Sequence, residues 1–306
     1  MRLSTLLDRY FHEAESGMLD NVKSPETIKS TRWTWKMFLS MYDVIYLSDL
    51  NEDLFRVFLA HLEFKKKLAP HTIKTYRKNI SVFLYWCVRK GYLTKNPIVE
   101  AKGPKIENNI PKIYTEEQID QVFRAIDLEP KSYFERLRNQ AIFAVLALTG
   151  VRKGELLGLS LSDIDFDNAC LKVQASTSKS NVERMIPMTP NLIMLLRKYI
   201  TERGKYAKPS CDNLWISHLT GIGFTKHGLK HLTEKLSHVV GFSVRPHWFR
   251  HSFATYTYAA TQDIIAVQKL LGHKNLEITM VYTNVLPENV RYAIERNKLN
   301  SLFEFN

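Results

Sequence analysis

The sequence predicts a mainly α-helical protein of two domains, the second carrying a small antiparallel β-sheet. Three observations lead there. A chain of 306 residues with 45% hydrophobic content is long enough for two separate cores. Apolar side chains recur at helical spacing over most of the length, broken by three short strand-like runs between residues 163 and 188. Between the helical regions, residues 101–109 are polar, punctuated by Gly103-Pro104, and without periodicity. Domains are therefore expected at 1–107 and 113–306, with 108–112 as the linker.

Residues 1 to about 100 read as helical throughout. Ser24-Pro25 punctuates the start of a helix over 27–42 that carries Trp33, Trp35, Phe38, Leu39 and Tyr42. A second, 51–64, sets Leu54, Phe55, Val57, Phe58 and Leu62 on a broad stripe, and Lys65-Lys66-Lys67 follows as a basic turn. The next, 70–88, opens on a proline and interleaves Lys74, Arg77 and Lys78 with Ile80, Phe83, Leu84 and Trp86, an amphipathic pattern with one basic face. Gly91 and Asn96-Pro97 close it. Beyond the linker, Thr115-Glu116-Glu117-Gln118 has capping-box spacing and opens a helix through Val122, Phe123 and Ile126. The apolar run 141–148 predicts a buried helix ending at Gly150. Strands are expected at 163–166, 171–175 and 184–188, joined by turns at Asp167-Asn168 and 178–181, and from Pro190 the chain reads as helical almost to its end.

Composition narrows the partners. A formal charge of +12 and a pI near 9.4 point to a polyanion, because Lys and Arg contacts to phosphates release condensed counterions. Both domains share the excess: residues 1–106 hold 18 Lys+Arg against 11 Asp+Glu, and the remainder 25 against 20. Cys87, Cys170 and Cys211 are odd in number and widely spaced, which suggests neither a disulfide framework nor a zinc site. No apolar run approaches a membrane span and no signal peptide is recognisable, so the expected location is the cytoplasm, at the nucleoid. Asp163, Asp165 and Asp167 alternate along a strand and turn, a pattern expected of a solvated edge rather than of a metal-dependent nuclease.

Cleaving a DNA phosphodiester without metal or cofactor needs charge neutralisation, a nucleophile and proton transfer. Arg152 and Arg250 suit the first task, since each guanidinium is permanently charged and grips two oxygens in a fixed fork. Tyr282 suits the second, because a phosphotyrosyl ester conserves the energy of the broken bond and religation then needs no ATP. His247 stands three residues before Arg250, on the same face if Pro246 opens a helix, and is assigned to base work or phosphate contact. His273, after a helix stop at Gly272, would donate to a nonbridging oxygen. His251 is expected to point elsewhere on the helix and to be structural, and Tyr256 and Tyr258 to be packing residues.

The segment from Ala147 through Thr149-Gly150-Val151-Arg152-Lys153-Gly154-Glu155-Leu156, followed by Pro246-His247-Trp248-Phe249-Arg250 and Leu271-Gly272-His273 to Tyr282, resembles the two catalytic boxes of the tyrosine site-specific recombinases, the family of phage integrases, Cre and the bacterial Xer proteins. Ala69-Pro70-His71-Thr72-Ile73 and Asn96-Pro97 are similar to its helical core-binding, SAM-like domain. The resemblance implies a DNA strand-exchange enzyme that clamps its duplex between the two domains, with Glu155 supporting Arg152. It also implies a general acid in the hairpin between the second and third strands. Lys179 is the candidate and Lys172 the fallback, since 178–184 lacks the usual flanking glycines. The implied partners are a double-stranded recombination site and a homotetramer in which 288–306 is exchanged between protomers, with an accessory recombinase or DNA-bending protein possible in such systems. Lacking a recognisable arm-binding module, the chain is more similar to Xer-like or transposon-encoded resolvases than to large integrases. A silent DNA-binding relative and a type IB topoisomerase are the alternatives.

Overall fold

A computed structural model describes residues 1–19, 24–104, 111–128, 132–176 and 182–284. The chain divides into two units, Met1–Asn108 and Asn109–Asn306. Lys179 and the segment 288–306 lie outside the described residues.

The first unit is built on four helices: α1 (Leu3–Glu15), α2 (Pro25–Leu39), α3 (Glu52–Ala60) and α4 (Pro70–Arg89). Their starts follow from local chemistry. Ser24 accepts the Thr27 amide at 3.2 Å and Asn51 accepts that of Leu54 at 2.9 Å, satisfying donors that the first turn leaves open, while α2 and α4 begin on prolines. An aromatic core of Tyr10, Trp35, Phe38, Phe55, Phe58, Phe83 and Trp86 joins them, with Trp35 meeting Phe83 edge-on at 4.8 Å. Two expected core residues lie outside it. Trp33 is 59% and Val57 57% exposed, because each sits about half a helical turn from the stripe that Trp35 and Phe38, or Phe55 and Phe58, bury. The α2 helix also stops at Leu39, short of Tyr42.

Arg77, expected among the DNA contacts, turns its guanidinium to the backbone of its own unit. Its guanidinium donates to the carbonyls of Ala101, Ile98 and Val99 at 2.7, 3.3 and 2.8 Å, bracing the segment after Pro97. Lys74 and Lys78 are exposed along α4.

The second unit contains α5 (Glu116–Leu128), α6 (Tyr133–Thr149), α7 (Lys153–Leu157), β1 (Ile164–Asp165), β2 (Cys170–Val173), β3 (Arg184–Pro187), α8 (Pro190–Arg203), α9 (Lys226–Val240), α10 (Pro246–Thr261), α11 (Ile264–Leu271) and α12 (Glu277–Met280). The reciprocal cap at α5 is present, with Thr115 Oγ1 accepting from Gln118 N at 3.2 Å and Gln118 Oε1 accepting from Thr115 N at 3.1 Å. Helix α6 runs through the core, fully enclosed from Ala141 to Leu146, with α8 and α10 packed against it. The strands form an antiparallel sheet in the order β1-β2-β3, pairing Leu171 with Ile186 and Val173 with Arg184. Leu171, Val173 and Ile186 face the core while Met185 faces outward, the period-two alternation of a half-buried sheet.

The structure differs from the sequence pattern in two further places. Asp163 is 2% exposed rather than solvated: its carboxylate accepts from the Ser160 amide and hydroxyl, both at 2.8 Å, and from Gln174 Nε2 at 2.6 Å. Residues 204–225 are not helical. Gly221, at φ +67°, turns the chain back, and non-helical backbone bonds such as Phe224 N to Trp215 O and Leu214 N to Leu159 O hold the segment, with the buried Arg203 guanidinium donating to the carbonyls of Cys211, Asn213 and Leu214. No described helix is long and apolar enough to cross a membrane.

Candidate active site

Four segments distant in sequence meet at one end of α10. Helix α6 ends at Gly150, whose φ of +61° is natural to glycine and whose α-carbon faces the Phe253 ring so closely that an added Cβ would stand 2.3 Å from Cδ1. The turn delivers Arg152 to the head of α7. There Glu155 accepts the Arg152 amide and the Arg152 Nη1, each at 2.8 Å. The same carboxylate accepts from Arg184 of β3, at 2.7 Å from Nη2 and 3.2 Å from Nη1. Burial pushes the Glu155 carboxyl up, but hydrogen bonds from Arg184 and Arg152 outweigh it and hold the group at about 2. Arg184 reaches further, donating through Nε to the Leu270 carbonyl at 2.8 Å and lying beside Gly272. One buried carboxylate thus ties the sheet, α7 and the end of α11 together.

Arg250, 1% exposed, stands at the centre. It donates to the carbonyls of Gly150 at 2.7 Å and Leu271 at 2.8 Å, the closing residues of α6 and α11. Burial and then the charge of Arg152 lower its pKa, and it remains cationic at neutral pH. Its Nη2 also lies 2.9 Å from His273 Nε2. Since a guanidinium can only donate, that nitrogen accepts, and the His273 proton sits on Nδ1, 2.9 Å from Thr279 Oγ1. Burial and the nearby Arg250 and Arg152 hold the ring at about 4, so it is neutral. His273, expected to donate to a nonbridging phosphate oxygen, accepts from Arg250 through Nε2 in this arrangement.

Tyr282 occupies the turn Val281–Asn284 after α12 and packs against Ala254, Val267 and Leu271. It is 2% exposed, and burial raises its pKa against the opposing pull of Arg250 and Arg152. Its hydroxyl is 2.9 Å from His251 Nδ1. His247, exposed at the first turn of α10, packs edge-on against His251 with centroids 4.3 Å apart. Burial, followed by His247 and Arg250, lowers His251 to about 4. His251 therefore faces the site, contrary to the expectation. Its neighbour in sequence, Arg250, pointed the reading away, whereas its spacing of four from His247 puts both imidazoles on one face. Arg184 was likewise read only as the start of a strand.

Of the six expected catalytic residues, Arg152, His247, Arg250, His273 and Tyr282 lie in this second-unit cluster, and Lys179 lies outside the described residues. The fallback Lys172 is paired with Glu183 at 3.2 Å on the exposed side of β2. Among the described residues no group of three or more His, Cys, Asp or Glu could hold a metal ion.

A phage integrase family profile matches residues 112–289, which includes every member of the cluster. The chain belongs to the phage integrase family. A phage integrase SAM-like domain profile matches residues 6–103. The tyrosine recombinase XerC of Anoxybacillus flavithermus is 29% identical over 262 residues, spanning 84% of this chain and 85% of its own. The tyrosine recombinase XerD of Neisseria meningitidis serogroup A is 32% identical over 207 residues, 65% of this chain and 67% of its own. Among solved structures, XerH bound to its palindromic difH substrate after cleavage superposes with a TM-score of 0.69 at 22% identity, covering 88% of this chain and 79% of that one. The Tn1549 transposon integrase in complex with a circular intermediate DNA reaches 0.75 at 20% identity, covering 97% and 100%. Those two share the fold. With the family assigned, this integrase-family protein is a tyrosine recombinase, an enzyme of site-specific recombination.

Proposed function

We propose that the protein cleaves and rejoins DNA at a specific site through a 3′-phosphotyrosyl intermediate formed by Tyr282, exchanging strands between two duplexes without metal or ATP. One observation carries this reading: a phenol, two guanidiniums and three imidazoles from separated segments share a single cluster in which the charged and neutral members are distinct. Arg152 and Arg250 neutralise the phosphorane, where negative charge exceeds that of the ground state. His273 orients Arg250, His247 contacts the phosphate from the mouth of the site, and Lys179 protonates the departing 5′ oxygen. Double-stranded DNA is the substrate, with exposed Lys74 and Lys78 of the first unit among its phosphate contacts. Strand exchange between two duplexes uses four active sites, so the working assembly is a homotetramer on DNA with 288–306 passed between protomers.

The test is a duplex nicked close to the cleavage position, which loses a short fragment on cleavage and traps the adduct. The parent protein is expected to become covalently attached through Tyr282, and Tyr282→Phe to bind the same duplex without attachment. Binding with no adduct in the parent would make the protein a silent DNA-binding relative; adducts without exchange between two duplexes would favour a topoisomerase-like relaxation.

A further inference from the structure

Given the proposed role of Tyr282 as nucleophile, we propose that His251 is its proton acceptor and therefore a further catalytic residue. His251 Nδ1 lies 2.9 Å from the phenolic oxygen, the atom that must lose a proton to attack. The two rings, with centroids 5.6 Å apart and planes inclined at 51°, bring Nδ1 to the oxygen at the rim of an apolar seat formed by Ala254, Val267 and Leu271. His247 and Arg250 flank His251 on α10, and His273 acts on the same cluster from beyond α11. Burial, and after it His247 and Arg250, keeps the imidazole unprotonated and able to accept, while Arg250 and Arg152 favour a phenolate once it forms.

The step balances. The proton leaves Tyr282 Oη for His251 Nδ1, the phenolate lone pair forms the new bond to phosphorus, and the bond from phosphorus to the 5′ oxygen breaks with that oxygen protonated by Lys179. In reverse, a 5′ hydroxyl attacks the phosphotyrosine, its proton returning to Lys179, and His251 gives its proton back to the released phenolate. His247, exposed four residues earlier, is then left for the phosphate.

Two substitutions separate proton transfer from positioning. His251→Gln keeps an amide within reach of the phenol yet cannot take up a proton, and His251→Asn is a second, smaller version should the first not fold. Single-turnover adduct formation on the nicked duplex, at saturating DNA, is expected to slow by ~10²-fold, the lower end of what a positioned base contributes, with DNA affinity unchanged. Replacing Tyr282 by a ring-fluorinated tyrosine, whose phenol ionises more readily, is expected to restore most of that loss in the His251 variants and to change the parent little. An equal deficit with tyrosine and fluorotyrosine would overturn the role, leaving His251 a support for the ring. Absence of adduct from the parent itself would instead remove the recombination reading and this role with it.

Discussion

Glu155 of α7 and Arg184 of β3 form a buried ion pair, 2.7 Å between Oε2 and Nη2, with side chains 1% and 6% exposed. Its consequence extends to Arg152, which shares the carboxylate. Removing one member of such a set leaves an uncompensated charge in the interior, so Glu155→Gln is expected to destabilise the protein by ~3 kcal/mol in urea unfolding. Replacing Arg184 by Met in the Glu155→Gln background should recover part of that stability without recovering DNA cleavage, because Arg152 still lacks its anchor. Full recovery of cleavage in the double variant would show that the carboxylate is not needed to hold Arg152.

Acid should act on the same region in two stages. His251 and His273 have pKa values lowered to about 4 from an unfolded value of 6.5, so between those limits the unfolded chain takes up protons that the folded one refuses. Their contribution is present above 6.5 and is lost as pH falls through 4. Glu155, held at about 2 against an unfolded 4.5, contributes above 4.5 and is lost as pH falls through 2. Urea midpoints measured against pH should therefore begin to drop near the upper limit, and His273→Gln should flatten that first decline while leaving the lower one. A midpoint independent of pH from neutrality down to the carboxylate range would contradict the assignment.

Gly150→Ala is expected to be costly beyond its size. The residue holds a φ of +61°, and the new methyl would meet the Phe253 ring at 2.3 Å. A left-handed site that loses glycine costs more than about 1 kcal/mol, and here the displaced carbonyl is also one that Arg250 grips. Thermal melting and adduct formation should both fall. Phe253→Ala in the same chain should relieve the clash but not the backbone strain, restoring melting only in part.

Lys78 and Arg77 adjoin in sequence and should separate in assay. Lys74→Ala and Lys78→Ala are each expected to reduce the salt slope of DNA binding by about 1 while leaving stability unchanged. Arg77→Ala strips the partner from three carbonyls, and its main effect should be a lower urea midpoint of the first unit. A stable Arg77→Ala protein that binds DNA with a reduced salt slope would return Arg77 to the phosphate contacts.

Much of the fold could be read from apolar spacing and caps. Ser24, Asn51, Thr115 and Gly150 mark helix ends through bonds or dihedrals local to a few residues, and such signals survive in the sequence. What stayed hidden depends on distant partners. Arg77 looks like a basic face until the carbonyls 21 to 24 residues on are brought to it. Asp163 looks solvated until Gln174 folds over it, and residues 204–225 look helical until the Leu214 amide meets the Leu159 carbonyl. In the site, Arg152, His247, Arg250, His273 and Tyr282 were named from the chemistry and the resemblance. His251 and Arg184 were missed because each acts through a residue 31 or 29 positions away.

Arg250 draws its two carbonyl partners from the closing residues of α6 and α11, so the guanidinium is lodged between the negative poles of two helices. Such a cation is electrically primed before any duplex arrives: its orientation is already fixed, and little solvent or side-chain rearrangement remains when a phosphate comes to it. Target duplexes would then differ less in how well they assemble the anion-binding centre than in how long they hold one phosphorus atom against it.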